Sequence, residues 1–167
     1  ARFPTSGAAT VELMMPVWSP GYYVREDYAQ RVQRVVARSP GGDTLVVEQP
    51  QPNHWRVRTG GAAAVVLSYE LECSVRSVTG NWVAADMAVL NGAPTFITLA
   101  DTARRVHDVS LVMPAAWRQS ATSLAAADAR PDHYVAASYD ELVDSPIVLG
   151  NMTTHTFHVG GAAHVLA

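Results

Sequence analysis

Apolar and polar positions alternate over much of the chain. Between Val65 and Cys73 the side chains of Val65, Leu67, Tyr69, Leu71 and Cys73 fall on one side, and those of Ser68, Glu70 and Glu72 on the other. A period of two marks a strand with one buried face. Weaker forms of the pattern predict strands over residues 10–15, 31–37, 44–48, 54–58, 83–90, 95–99, 106–113, 133–137 and 147–159. Ser39-Pro40-Gly41-Gly42-Asp43, Thr59-Gly60-Gly61 and Asn91-Gly92 punctuate these runs as hairpin turns would. Helical periodicity is scarce. The Ala-rich run from Ser123 to Ala129 predicts a turn or two, and Asp140-Glu141-Leu142-Val143 one turn that Pro146 stops. The fold expected is mainly β: an antiparallel sandwich or folded-over, saddle-like sheets, with one or two short helical turns. No repeat, linker or low-complexity tract interrupts the pattern, so residues 1–167 read as a single domain.

Composition narrows the function classes. Hydrophobic residues make up 49% of the chain and charged residues 16%, which argues for a packed core and against disorder. The net charge is −3 and no face is obviously basic by sequence, so nucleic acid is not an expected partner. All 12 basic residues are arginine, a bias that fits genome composition as well as chemistry. No apolar run approaches the length of a membrane-spanning helix, and no membrane partner is expected. The first residues, Ala1-Arg2-Phe3-Pro4-Thr5, have neither a starting Met nor the apolar segment of a signal peptide. The chain reads as a piece of something longer. Cys73 is the only cysteine, which excludes an internal disulfide and a cysteine-based zinc site. It excludes neither the cytoplasm nor an oxidising compartment such as the periplasm.

Catalytic constellations are sparse. A helical H-E-x-x-H would place two imidazoles on one face toward one metal, but no histidine here is followed by that glutamate. His155 and His158 have an odd separation, so on a strand they point to opposite faces, a poor geometry for chelation. Cys73 sits on the apolar side of the best strand and reads as a buried, inert thiol. The paired glycines are turn glycines, and none opens a phosphate-binding loop ahead of a helix. Asp140, Glu141 and Asp144 lie together around a short turn, where carboxylates commonly serve as helix-end groups.

One segment is unusual. Met15-Pro16-Val17-Trp18-Ser19-Pro20-Gly21-Tyr22-Tyr23-Val24-Arg25-Glu26-Asp27-Tyr28 packs four aromatics, two prolines and a glycine behind a strand. Pro20-Gly21 suits the centre of a type II turn, and such a loop holds rings rigidly at little entropic cost. Trp18 is expected to cap the core. Tyr22, Tyr23, Arg25 and Asp27 are candidates for a binding wall. Asn91, in Val89-Leu90-Asn91-Gly92-Ala93-Pro94-Thr95-Phe96, and the acids of Tyr139-Asp140-Glu141-Leu142-Val143-Asp144-Ser145-Pro146 complete the set.

These three segments, in this order, resemble the N-terminal domain of the glycyl aminopeptidase family of zinc metallopeptidases. The matching stretches are P-x-W-x-P-G-x-Y at Pro16 to Tyr23, Asn91-Gly92 ahead of Phe96, and Y-D-E-L-V-D-S-P at Tyr139 to Pro146. Asn53-His54-Trp55-Arg56-Val57 is similar to the family's Trp-bearing strand, and Met113-Pro114-Ala115-Ala116-Trp117 to its P-x-x-W strand end. By this resemblance the chain starts after the family's first strand, with little before Thr10, and stops about where a thermolysin-like catalytic domain, often followed by a PDZ domain, should begin. It implies a non-catalytic accessory domain with no cofactor of its own. The zinc is expected in the catalytic domain of the same polypeptide. That domain and the parent's peptide substrate are the expected partners, with Asp140, Glu141 and Asp144 facing the substrate's ammonium group.

Two other readings stand beside it. The aromatic loop would suit a stand-alone domain that binds peptide or carbohydrate. A bare apolar face would suit a structural module that self-associates.

Overall fold

A computed structural model describes residues 1–166. Seven strands form the first half: β1 (Arg2–Pro4), β2 (Thr10–Met14), β3 (Val32–Arg38), β4 (Thr44–Leu45), β5 (Val47–Gln51), β6 (His54–Arg58) and β7 (Ala64–Leu71). Eight more follow: β8 (Trp82–Val83), β9 (Met87–Leu90), β10 (Thr98–Leu99), β11 (His107–Ser110), β12 (Gln119–Thr122), β13 (Ala125–Ala126), β14 (His133–Ala136) and β15 (Ile147–Gly150). A C-terminal pair is formed by β16 (His155–Val159) and β17 (Ala162–Leu166). Among the described residues helix is limited to a 3-10 turn, Tyr28–Arg31, and one short α-helix, α1 (Tyr139–Val143). Among the described residues no helix is long and apolar enough to cross a membrane.

The strands make two stacked pairs of antiparallel sheets. The orders β1-β7-β3-β4 and β10-β2-β6-β5 share one core, built from Phe3, Leu13, Ala37, Trp55, Val57, Val65 and Leu67. The orders β11-β14-β13 and β12-β15-β9-β8 share a second, built from Ala88, Val109, Leu124, Ala136, Ile147 and Leu149, which α1 covers with Leu142. This is the mainly β, antiparallel sandwich that the alternation implies: on β7, Val65 and Leu67 are buried while Ser68 and Glu70 face solvent.

Several expectations need correction. A strand precedes Thr10, since Arg2–Pro4 pairs with β7 through Phe3↔Val65. Thr59-Gly60-Gly61 is not a hairpin turn. It carries the chain from one sheet of the first sandwich to the other, with both glycines at positive φ and the buried Thr59 hydroxyl donating to the Ala8 carbonyl at 2.6 Å. Asn91-Gly92 is not a hairpin turn either, because it leads from β9 in one sandwich to β10 in the other. The Ala-rich run from Ser123 to Ala129 is not helical. Leu124 is drawn into the second core and Ala125–Ala126 pairs with Tyr134 and Val135, so tertiary pairing overrides alanine's helix preference. The region 83–90 is a hairpin rather than one strand, and 147–159 is two strands separated by residues 151–154. Strand β7 ends at Leu71, so Cys73 lies beyond it and is half-buried; burial pushes its thiol pKa up, away from the reactive thiolate.

The two cores meet along residues 92–97 and α1. Ile97 enters the first core and Phe96 packs on the second. The Tyr69 hydroxyl donates to the Thr95 carbonyl at 2.7 Å, and the Tyr139 hydroxyl to the Phe96 carbonyl at 2.6 Å. Both rings are largely buried, which pushes both phenol pKa values up and keeps them as donors.

Candidate functional site

The aromatic loop is anchored at both ends in the first core. Met15 is fully buried, donates its N–H to the Asn53 carbonyl at 3.0 Å and accepts from the Asn53 side chain at 2.8 Å. The loop returns at Tyr28, also buried, whose hydroxyl lies 2.7 Å from that of Ser19. Between them, Ser19-Pro20-Gly21-Tyr22 is closed by a Tyr22 N–H to Ser19 carbonyl bond of 3.1 Å, with Gly21 at φ +75°. That is the type II turn which Pro-Gly favours. The Glu26 N–H donates to the Val17 carbonyl at 2.7 Å and ties the two limbs together.

Asn81 organises the second segment. It is buried, and its side chain donates to the Thr95 hydroxyl at 2.8 Å and accepts the Asn91 N–H at 2.7 Å. Asn91 in turn donates from its amide to the Gly80 carbonyl at 2.5 Å, and its own carbonyl accepts from Thr95 Oγ1 at 2.5 Å. Gly92 then passes so close to α1 that a Cβ there would overlap the Leu142 carbonyl oxygen and lie 2.6 Å from Val143 Cα. Glycine is required here by the approach of two backbones.

In the third segment, Ser138 caps α1 by accepting the Glu141 N–H at 3.2 Å. The Glu141 carboxylate turns back to accept the Ala137 N–H at 2.6 Å, in the manner of a capping box. Ser145, buried beyond the helix, accepts from the Ser123 hydroxyl at 3.0 Å.

The three segments converge on one cleft of about 290 Å³. Pro20, Gly21 and Tyr22 line it from the first segment, Asn91 from the second, and Val143, Asp144 and Pro146 from the third, with Thr79 beside them. Asp144 is the one charged side chain lining it among the described residues. Of the residues expected from the sequence, Tyr22, Asn91 and Asp144 are thus brought together. Asp140 is exposed in the first turn of α1 and does not line the cleft, and Glu141 is engaged as a cap. Arg25 and Asp27 line an adjoining hollow of about 330 Å³ that shares Thr79 with the cleft, as a loose solvent-exposed pair 3.7 Å apart, and Arg25 also meets Tyr22 and Tyr23 on a second hollow.

Trp18 does not cap the core. It is 52% exposed, and with Val17, Tyr22, Tyr23 (94% exposed), Val24 and Arg25 it lines a shallow, mostly apolar hollow of about 440 Å³ beside the cleft. These rings face outward, while Tyr28 alone of the four aromatics fills the core.

Residues 1–151 match the family model described as the peptidase M61 N-terminal domain. The chain belongs to that family. Among solved structures it is similar to an aminopeptidase N family protein from Idiomarina loihiensis, with a TM-score of 0.89 at 22% identity over 98% of this chain. The chain spans 28% of that protein's length. At this identity the likeness speaks for the fold. No curated protein sequence matches the chain. All three segments that line the cleft lie within the family's match.

Sequence reading missed Asn81, Thr79 and Ser19. Asn81 stands between Gly80 and Trp82, and its partners are ten and fourteen residues away, so no local period announces it. The one available signal was a polar residue immediately ahead of an apolar strand. Among the described residues no three His, Cys, Asp or Glu side chains are grouped as a metal site.

Proposed function

We propose that this domain is a non-catalytic part of a zinc-dependent aminopeptidase of the glycyl aminopeptidase type, packed beside a catalytic domain in the same polypeptide and closing one side of its substrate cleft. Membership of the M61 N-terminal family supports the setting. The observation that carries the role is the convergence of Pro20–Tyr22, Asn91 and Asp144 on one small cleft with a single carboxylate. Asp144 caps the C-terminus of α1 through its backbone N–H, which donates to the Asp140 carbonyl at 3.1 Å, and its exposed carboxylate is placed to attract a peptide's ammonium group, with Tyr22 to flank its first side chain. The exposed Trp18, Tyr23 and Val24 provide apolar area for the neighbouring domain. The zinc belongs to that domain, and no side chain of this chain is assigned to it.

The test is Asp144→Asn in the polypeptide that carries both domains, with Asp140→Asn as the control. For peptides with a free amino end, KM should rise about two- to fivefold, the worth of a solvent-accessible ion pair, with kcat little changed. N-acetylated peptides should show no such rise, and Asp140→Asn should behave as the parent. Identical KM values for Asp144→Asn and the parent on free-amine peptides overturn the role of the cleft.

A further inference from the structure

The C-terminal hairpin stands apart from both cores. Every residue of β16 and β17 is exposed, including Phe157 at 50%, Val159 at 59% and Leu166 at 63%. The register pairs Phe157 with His164, Val159 with Ala162 and His155 with Leu166. Those six side chains therefore share one face, with the Phe157 and His164 rings stacked at 5.3 Å. Among the described residues β16 and β17 pair only with each other, so each keeps one open edge of N–H and C=O groups.

Open edges are normally blunted by lysine, proline, inward charge or a bulge. Residues 151–167 contain no Asp, Glu, Lys, Arg or Pro, and the pairing runs through five consecutive residue pairs without a shift. A two-stranded hairpin with no covering layer is marginal in water. An unprotected, apolar, regular hairpin is what a chain presents when its face and edge are covered in the working protein. What covers it is indicated by two further observations. The match to the M61 N-terminal domain ends at residue 151, four residues before β16 begins. The aminopeptidase N family protein that this chain follows over 98% of its own length is more than three times as long.

We infer that residues 155–166 form the first hairpin of the domain that follows, joining a β-sheet there by strand addition, with Phe157, Val159 and Leu166 packed into that domain's core. The hairpin is then the covalent and structural joint between the two domains, and it fixes how the cleft at Asp144 is presented to the catalytic domain. This rests on the reading that a further domain follows, and it is independent of what that domain catalyses.

Amide hydrogen exchange on the 167-residue chain and on the longer polypeptide decides it. In the short chain at dilute concentration, the amides of residues 155–166 should exchange about as fast as an unprotected peptide, while β7 and β15 exchange slowly. In the longer polypeptide the same hairpin amides should gain about a hundredfold protection or more, with β7 and β15 unchanged. Slow hairpin exchange in the monomeric short chain overturns the inference, because the hairpin then packs on its own domain. Protection that grows with the concentration of the short chain and no further in the longer polypeptide also overturns it, in favour of self-association. So does a reading frame that ends at Ala167. Peptidase assays on the longer polypeptide are scored separately: an active enzyme with an unprotected hairpin rejects only the joint, and a protected hairpin without peptidase activity rejects only the function.

Discussion

His133 is one of the few buried polar side chains, and it is held between two carboxylates. Its Nε2 lies 2.8 Å from Asp108 and its Nδ1 3.0 Å from Asp128, with the Arg130 guanidinium against the same ring. The side chain itself is 6% exposed. The carboxylates of Asp128 and then Asp108 raise its pKa above the ordinary histidine value, against the opposing charge of Arg130. Asp128 is correspondingly held well below the usual carboxylate range, first by His133 and then by the Arg130 N–H. A histidine whose folded pKa is raised contributes stability in full below its unfolded value of about 6.5 and loses it as pH climbs through the folded value. The depressed Asp128 contributes above about pH 4 and loses its contribution as pH falls through its folded value. The cluster, which joins β11, the β13–β14 turn and β14, is therefore strongest between those limits. Urea midpoints measured from pH 5.5 to 8.5 should fall with pH more steeply in the parent than in His133→Gln. Parallel curves for the two proteins would remove the charge pairing from the account. Both carboxylates are partly exposed, so added salt should shrink the difference.

Among the elements, α1 has influence beyond its five residues. It contributes Leu142 to the second core, sets Val143 against the first, and leaves Asp144 at the cleft. Its position is fixed by the approach of Gly92. Gly92→Ala should force the two segments apart and cost about 1–3 kcal/mol, the range for overpacking a site that has no room. Urea denaturation checks the cost, which is expected to be larger than for Gly41→Ala, where the nearest atoms lie at an ordinary 3.5 Å. Equal effects would show that the contact relaxes freely. Gly92 also marks how far the sequence could be read. Strands such as His54–Arg58 were legible to the residue, because each alternates between a core and a solvent face. The type II turn at Pro20-Gly21 was legible because its backbone demand is local. The crossings between sandwiches at Thr59-Gly60-Gly61 and Asn91-Gly92 use the same residue types as hairpins, and only the third dimension separates the two uses. The acids of the third segment looked alike in sequence. The cap geometry at Ser138 takes Glu141 out of play, and the end of the helix delivers Asp144 to the cleft. Trp18 looked like a core residue because large aromatics usually are, but it stands half exposed on the shallow apolar hollow.

At the scale of the molecule, the question is whether two cores make two folding units. Each sandwich has its own buried set, with Trp55 in the first and Trp117 packed against the second. The contacts at their junction argue for one unit. Residues 92–97 supply side chains to both cores, and their backbone is bonded from both sides by Tyr69 and Tyr139. Unfolding the second sandwich alone would strip α1 from Gly92 and leave the Phe96 carbonyl without the Tyr139 hydroxyl. It would also expose Ala93 and Ile97 of the first core. Each buried polar group left unpaired costs about 1–3 kcal/mol, a large share of the roughly 5–15 kcal/mol by which a domain is stable. A half-unfolded state should therefore be too rare to detect. Single-tryptophan versions that keep only Trp55 or only Trp117 report the two cores separately. Their urea transitions should coincide in midpoint and slope. Separated transitions would mean that the cleft, which takes walls from both sides of the junction, can open without global unfolding. Coincident ones mean that the two sandwiches that supply the cleft do not come apart short of global unfolding.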